Sequence, residues 1–294
     1  MDTKDILKKV RRIDIQTRGL VNNIFSGEYH AVFKGRGMSF SEVREYQFGD
    51  EVRFIDWNVS ARMDRPYLKV FEEEREQSLM ILFDASGSGN FGTVKQTKRD
   101  MMIEMAAVIA FSAIKNNDKV GLVIFTDQVE KFIPPKKGKM HVLRIIRELL
   151  TFTPIHRATQ VSSALEFIIH VLNRRSIVFL MSDFLDADYE KSMKAVARKH
   201  DLIAIRVFDR REREWPPVGI VTLQDEESGE LLEIDTQSLF VRQILKHTVT
   251  EQSRKQDAIF RRSKVDLIDM ATGSDYVEAL VRFFKNREKR LRVG

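Results

Sequence analysis

The stretch SLMILFDASGS, residues Ser78–Ser88, joins an apolar run to a loop of small and oxygen-bearing residues. Its first six residues are almost all apolar, which is typical of a parallel strand covered on both faces. Asp84 follows directly, and Ser86 and Ser88 stand at alternate positions after it. The stretch therefore predicts a buried strand that delivers three oxygen-bearing side chains at its carboxyl end.

Short apolar runs of the same kind alternate with longer amphipathic segments further along the chain. The candidate strands are Ser78–Phe83, Val120–Phe125, Ser176–Met181, Leu202–Val207 and Gly219–Leu223. The helical segments between them span about residues 95–116, 140–150, 160–172 and 187–200. This alternation predicts an α/β fold, a doubly wound and mostly parallel sheet flanked by helices.

The pattern changes at both ends of this α/β region. The segment VTLQDEESGELLEID predicts a hairpin at the sheet edge that turns at Ser228 and Gly229. A helix over about residues 237–262, the run VDLID and a last helix from Tyr276 follow. Before Ser78, a short N-terminal helix precedes Phe33–Glu72, which is rich in glycine, charge and aromatic residues and predicts a small, mostly β subdomain. We therefore divide the chain into domains of residues 1–77 and 78–294.

The composition excludes several classes of protein. The chain has 294 residues, of which 43% are hydrophobic and 31% charged, so it is not a disordered protein. It contains no cysteine, which rules out disulfide scaffolds, thiolate zinc sites and cysteine nucleophiles. No apolar run reaches 18 residues, and the charged first residues do not resemble an export signal. We therefore expect a cytoplasmic protein without an integral membrane segment.

The net charge of +6 is a mild excess for a chain of this length. Residues 251–294 carry 11 basic and 7 acidic side chains and end in a basic helix. A solvated helix end explains this charge, because cations are favourable at the negative pole of the helix dipole. No aromatic and basic binding motif accompanies it, so we expect no nucleic-acid partner.

Oxygen-bearing side chains follow two predicted strands at the edge where an open α/β sheet binds ligands, and Thr159 stands in a loop that opens a predicted helix. The set is Asp84, Ser86, Ser88, Thr159 and Asp183. Two carboxylates and three hydroxyls form an all-oxygen set suited to a hard divalent cation, most naturally Mg²⁺, with Mn²⁺ or Ca²⁺ as alternatives. Because the chain supplies only two negative charges here, we hypothesise that an acidic side chain of a partner completes the ion's coordination.

Other interpretations of these residues stay open. Asp84 could cap a turn and the serines could cap the next helix. Gly87–Gly92 matches the dinucleotide fingerprint G-x-G-x-x-G, but the next strand ends near Phe125, too far along the chain for that motif. A metal-assisted hydrolase would use the same ion to activate water. It would need a general base, and the relevant loops offer no obvious His or Glu.

The pattern Asp84-x-Ser86-x-Ser88 with Thr159 and Asp183 resembles the metal-ion-dependent adhesion site (MIDAS) of von Willebrand factor A-like domains. The block FSEVREYQFGDEVRFIDWNVSARM, residues 40–63, resembles the bacterial proteins grouped as domain of unknown function 58. The chain departs from many A-type domains at Gln160, where they carry an acid.

These resemblances imply a non-enzymatic protein-interaction module, an adaptor or co-chaperone that works with a MoxR-type AAA+ ATPase or its client. Ser86 and Ser88 would contact the ion directly, and Thr159 would do so directly or through water. Asp84 and Asp183 would hold the ion mainly through water.

The same block also carries a charged cluster, which includes Arg44, Asp50, Arg53, Asp56 and Arg62. So many charges in a small subdomain indicate mutual pairing, and Trp57 among them indicates a partly covered surface. A structural salt-bridge network and a partner-docking face are both compatible with this pattern.

Overall fold

The structure is a computed structural model. It describes residues 8, 10–15, 17, 29, 32–33, 38–73, 77–93, 96–186, 188–224 and 229–293. Residues 10–15 are helical, and the rest of the predicted N-terminal helix lies largely outside the described residues.

The chain forms two compact units, residues 33–76 and residues 1–32 together with 77–294. Residues 1–32, expected in one domain with residues 33–77, belong to the larger unit.

The larger unit is built on a six-stranded sheet. In chain order its strands are β3 (Ser78–Asp84), β4 (Lys119–Phe125), β5 (Val129–Lys136), β6 (Ile177–Ser182), β7 (Asp201–Phe208) and β10 (Asp266–Ala271). In space the order is β10-β7-β6-β3-β4-β5, and every neighbouring pair is parallel except β4 with β5. The expected mostly parallel, doubly wound sheet is thus confirmed.

Helices cover this sheet. They are α2 (Lys98–Lys115), α3 (Lys139–Thr151), α4 (Val161–Val171), α5 (Glu190–Lys199), α6 (Arg210–Arg213), α7 (Leu239–Ser263) and α8 (Tyr276–Val293). The predicted helices over residues 95–116, 140–150, 160–172, 187–200 and 237–262 correspond to α2, α3, α4, α5 and α7, with bounds that agree to within a few residues. In α2, 13 of 18 residues are buried, as expected for a helix that is apolar nearly all round.

The strand order reverses next to β3. The chain passes from β3 to β4 and β5 on one side, then returns to β6 on the other side. Ligands of open α/β sheets bind beyond the carboxyl ends of the strands at such a reversal. Asp84 ends β3 and Ser182 ends β6, so both stand at this point.

The run Gly219–Leu223 was wrongly predicted to lie in the parallel sheet. It corresponds to β8 (Ile220–Gln224), which pairs antiparallel with β9 (Leu231–Asp235) in a separate two-stranded sheet. The predicted hairpin therefore forms, but it is not bonded to the edge of the main sheet. Ser228 lies outside the described residues, and Gly229 has a φ of +77°. The run VDLID supplies β10, which is the sheet's edge strand.

Strand β5 was not predicted. Its sequence, VEKFIPPK, has neither a continuous apolar run nor a regular alternation, and it contains Pro134 and Pro135, which remove backbone donors from the ladder. Prolines are tolerated in an edge strand, and β5 pairs only with β4.

The smaller unit contains a hairpin of β1 (Met38–Glu45) and β2 (Tyr67–Glu73), with the short helix α1 (Trp57–Met63) between them. Arg44 binds Asp50 through two hydrogen bonds of 2.8 Å, and Asp56 caps α1. Trp57 is 68% exposed. The Arg44–Asp50 pair agrees with the salt-bridge interpretation of this block.

Among the described residues, no helix is both long and apolar enough to cross a lipid bilayer.

Candidate metal site

Asp84 is the buried carboxylate at the base of the candidate site, and hydrogen bonds hold it in one orientation. It is 3% exposed, and both of its carboxylate oxygens accept hydrogen bonds. Oδ1 accepts from the Ser86 N–H at 2.9 Å, and Oδ2 accepts from the Ser182 hydroxyl at 2.5 Å. The carboxylate is therefore oriented by its own loop on one side and by the neighbouring strand on the other.

The environment of Asp84 makes ionisation of its carboxyl group harder than in water. Burial raises the pKa of Asp84 to about 7, and the nearby Asp183 carboxylate contributes to the rise. Hydrogen bonds from Ser182 and Ser86 act in the opposite direction because they stabilise the charged form. A bound cation would likewise favour the carboxylate.

Ser86 and Ser88 bring their hydroxyl oxygens together in the loop after β3. The two Oγ atoms lie 3.1 Å apart, and residues Gly87–Asn90 form a single 3-10 turn that holds Ser88 against Ser86. Two adjacent ligands of an octahedral Mg²⁺ ion, each about 2.1 Å from the metal, lie about 2.9 Å from one another. The spacing of the hydroxyls therefore matches two neighbouring coordination positions.

The loop that carries Thr159 is bonded to the same region. The Gly87 N–H donates to the carbonyl of Arg157 at 2.9 Å, and the Gln160 N–H donates to the carbonyl of Thr126 at 2.9 Å. Thr159 is half-buried between these two attachments. Its loop thus reaches the serine loop, although Thr159 does not line the crevice that contains the other four predicted residues.

Gln160, where the chain departs from many A-type domains, stands at the N-cap of α4 without a side-chain capping bond. The carboxylate of Asp186 instead accepts from the Val161 N–H at 2.8 Å. An acid from another loop therefore caps the helix that follows Thr159.

The crevice itself is small and mixed in polarity. It is lined by Asp84, Ser86, Ser88, Gly89, Lys98, Met102, Asp183 and Val207. The structure thus brings together four of the five predicted residues, from the ends of β3 and β6. Within the described residues, no three His, Asp or Glu side chains form a group arranged to hold a metal ion.

Lys98 is a residue of this crevice that sequence reasoning missed. It is 1% exposed, and its ammonium lies 2.8 Å from Asp183 Oδ2 and 2.6 Å from Glu212 Oε1. Burial acts to lower the pKa of Lys98, but the two carboxylates outweigh it and raise that pKa above its ordinary value. The side chain is therefore a buried ammonium ion next to the predicted ligands.

Glu212, which binds Lys98, is itself held in place by Asp209. Glu212 Oε2 accepts from the Asp209 N–H at 2.8 Å, which completes a capping box at the start of α6. Asp209 is fully buried and accepts hydrogen bonds from Thr93 and Thr272. Burial acts to raise the pKa of Asp209, but these bonds and others lower it below its ordinary value. Asp209 is thus a charged structural link between three loops.

The donor set fits a hard divalent cation. The hydroxyl pair has the spacing of adjacent ligands, and Asp84 and Asp183 supply negative charge beside it. Ser86 and Ser88 would contact the ion, and Asp84, with both oxygens engaged, would act through water. The ammonium of Lys98 is the feature that does not belong to an ordinary cation site.

Together, the fold and the crevice define an α/β domain with a mostly parallel sheet and an oxygen-lined site where its strand order reverses. The family described as "Protein of unknown function DUF58" matches residues 42–255, and the chain belongs to this family. The resemblance inferred from the residue 40–63 block is therefore confirmed.

The chain is also similar to individual proteins. An uncharacterized protein of Mycobacterium tuberculosis is 27% identical over 297 residues, covering all of this chain and 93% of the relative. The crystal structure of the conserved hypothetical protein BatB from Bacteroides thetaiotaomicron is 12% identical, with a TM-score of 0.50 over 72% of this chain and 99% of BatB. The VWA domain of SpRpn10 is 13% identical, with a TM-score of 0.41 over 70% of this chain and 94% of that domain. The likeness to BatB concerns the fold alone.

Proposed function

We propose that this protein is a non-enzymatic, cytoplasmic interaction module whose binding to a partner protein depends on a divalent cation, Mg²⁺ in the first place. The observation that carries the proposal is the pair of Ser86 and Ser88 hydroxyls, 3.1 Å apart beside the buried Asp84. Their spacing supports direct coordination of an ion by two neutral oxygens.

Neutral ligands explain why a partner would be needed. Hydroxyls do not reduce the charge of an ion, and two or three of them leave several of its six positions open. An Asp or Glu side chain of a partner would add both an oxygen ligand and a compensating charge. We therefore propose that the partner binds through an acidic residue, and that it is a MoxR-type AAA+ ATPase or a client of one.

A binding experiment with purified proteins tests this function. The full chain is immobilised, and capture of the MoxR-type ATPase from the same organism is compared in excess Mg²⁺ and in excess EDTA. Ser88→Ala is preferable to Asp84→Ala, because Ser88 is half-buried whereas Asp84 organises the loop through two hydrogen bonds. Ser192→Ala, on the surface of α5, is the matched control.

We expect capture in Mg²⁺ by the wild type and by Ser192→Ala, and loss of capture in EDTA and with Ser88→Ala. Equal capture in Mg²⁺ and EDTA would contradict the metal-dependent mechanism. Failure to capture the ATPase, with cation-dependent capture of its client, would identify the client as the partner. Mg²⁺-dependent hydrolysis by the isolated chain, lost with Ser88→Ala, would favour the metal-assisted hydrolase instead.

A further inference from the structure

The position of Lys98 is unfavourable for a lysine. It is the first residue of α2, where the helix dipole places positive potential, and it is almost fully buried. An ammonium removed from water is destabilising unless negative groups surround it. The carboxylates of Asp183 and Glu212 provide these groups at 2.8 and 2.6 Å.

Asp183 is also one of the predicted acids of the cation site. Its Oδ2 accepts from Lys98, and its Oδ1 accepts from the Leu185 N–H at 3.3 Å. Lys98 lines the same crevice as Asp84, Ser86 and Ser88. A divalent ion in this crevice and the Lys98 ammonium would therefore compete for the same carboxylates, at short range.

We propose that Lys98 is a built-in counter-cation of this site, which holds Asp183 in the ion-free protein and opposes binding of the divalent ion. This inference rests on the proposed metal dependence and adds that Lys98 lowers the affinity of the site for the divalent cation. Thermodynamic linkage makes the opposition reciprocal: a bound ion weakens the Lys98–Asp183 pair, and the pair weakens ion binding by the same factor.

Charge counting gives variants with opposite expected effects. Asp84, Asp183 and Glu212 with Lys98 carry a formal charge of −2 when all are ionised. Lys98→Met makes this −3, Glu212→Gln makes it −1, and the double variant restores −2. Because Asp84, Asp183 and Lys98 line one small crevice and Glu212 binds Lys98 at 2.6 Å, we expect at least tenfold tighter cation binding for Lys98→Met and at least tenfold weaker binding for Glu212→Gln. The double variant should lie within a few-fold of the wild type.

The experiment measures binding of MgCl₂ and MnCl₂ to the full chain by isothermal titration calorimetry. Lys115→Met is the matched control, because Lys115 lies at the other end of α2, about 25 Å along the helix axis. It should bind the cation as the wild type does. Thermal unfolding with and without the cation provides a second reading, in which Lys98→Met should show the larger cation-induced rise in melting temperature.

The outcomes separate this inference from the proposed function. Wild-type binding with unchanged or weaker binding by Lys98→Met would overturn the counter-cation role and leave the metal-dependent function standing. Binding by Lys98→Met alone would support the role and overturn metal dependence of the natural protein. Absence of binding by every variant would overturn both. If Lys98→Met does not fold, the weakening by Glu212→Gln and its recovery in the double variant decide the question.

Discussion

The hydroxyl of Ser182 donates a 2.5 Å hydrogen bond to Oδ2 of Asp84. The bond crosses from β6 to β3, the two strands between which the order of the sheet reverses. One side chain thus connects the two strand ends that carry most of the candidate metal site. The same Ser182 oxygen accepts from the Phe184 N–H at 3.0 Å, so it also shapes the loop after Asp183.

We expect Ser182→Ala to lower the free energy of unfolding by about 1–3 kcal/mol, because a buried carboxylate loses its hydroxyl donor. Urea denaturation of the ion-free protein measures this change. Ser176→Ala is the control, since Ser176 is also buried but its hydroxyl donates to the nearby backbone carbonyl of Arg174. Equal stabilities of the two variants would mean that the bond to Asp84 contributes nothing distinctive.

Replacement of Arg206 by methionine should destabilise the larger unit by about 1–3 kcal/mol. The guanidinium is 3% exposed and binds Asp269 through two hydrogen bonds, with further contacts to Gln256 and Asp257. Removing it leaves the buried Gln256 without its donor and Asp257 without its cation, whereas Asp269 keeps Arg213 at 3.6 Å. Chemical denaturation of Arg206→Met tests the expectation.

Arg254→Met provides the comparison for Arg206→Met. Arg254 forms an ion pair with Glu251 on the exposed surface of α7, and exposed pairs contribute less than about 1 kcal/mol. A loss for Arg206→Met no greater than that for Arg254→Met would show that the buried network is dispensable.

His200 should make the protein less stable in acid. The side chain is 1% exposed, and neither ring nitrogen has a hydrogen-bond partner in the part of the chain that the structure describes. Burial lowers the pKa of His200 below its ordinary value, and the charges of Lys199 and Arg175 add to the effect. As the pH falls below about 6.5, the His200 imidazole binds a proton in the unfolded chain but stays neutral in the folded chain. The free energy of unfolding therefore declines.

His200→Leu removes this acid-dependent loss. Its stability relative to the wild type should increase as the pH falls from 7.5 to 5.5, by up to about 1.4 kcal/mol per pH unit. Denaturation curves at both pH values measure the difference. The exposed His170, replaced in the same way, should show little change with pH, and a parallel response of both variants would contradict the role of burial.

Gly121 permits the close approach of β4 to β5. A Cβ atom there would lie 2.9 Å from the carbonyl oxygen of Ile133, which is backbone and cannot move aside easily. We expect Gly121→Ala to cost about 1–3 kcal/mol in the free energy of unfolding. In Gly89→Ala the nearest atom is the Arg99 Cβ at 3.7 Å, so that variant should keep nearly the wild-type value.

The elements that could be predicted are those whose hydrophobic pattern can be recognised from neighbouring residues alone, without knowledge of tertiary contacts. The buried strands and the long helices have continuous or periodic apolar residues, and their bounds agree closely with the structure. Strand β5 lacks such a run because it lies at the edge of the sheet, where most of its residues are only partly buried and where Pro134 and Pro135 are tolerated. Strand β8 has the apolar composition of a sheet strand, but composition does not say which neighbour it pairs with.

The candidate site divides in the same way. The spacing of Asp84, Ser86 and Ser88 indicated a convergent loop, and the structure brings them into one crevice with Asp183. Lys98 could not be predicted, because a lysine in the first turn of a helix ordinarily faces water. Glu212 had a detectable signal: Asp209 and Glu212 have the spacing of a capping box, and that motif marks a helix start.

The two prolines of β5 have a consequence for how copies of this protein behave at high concentration. Pro134 and Pro135 lie where the β4–β5 register is irregular, between the pairs Leu122–Ile133 and Val120–Lys136, and neither has a backbone N–H to offer a further strand. A strand of another molecule that paired with this edge would lack backbone N–H donors that a regular β-ladder requires. The sheet is therefore protected on that side against extension into fibrillar aggregates.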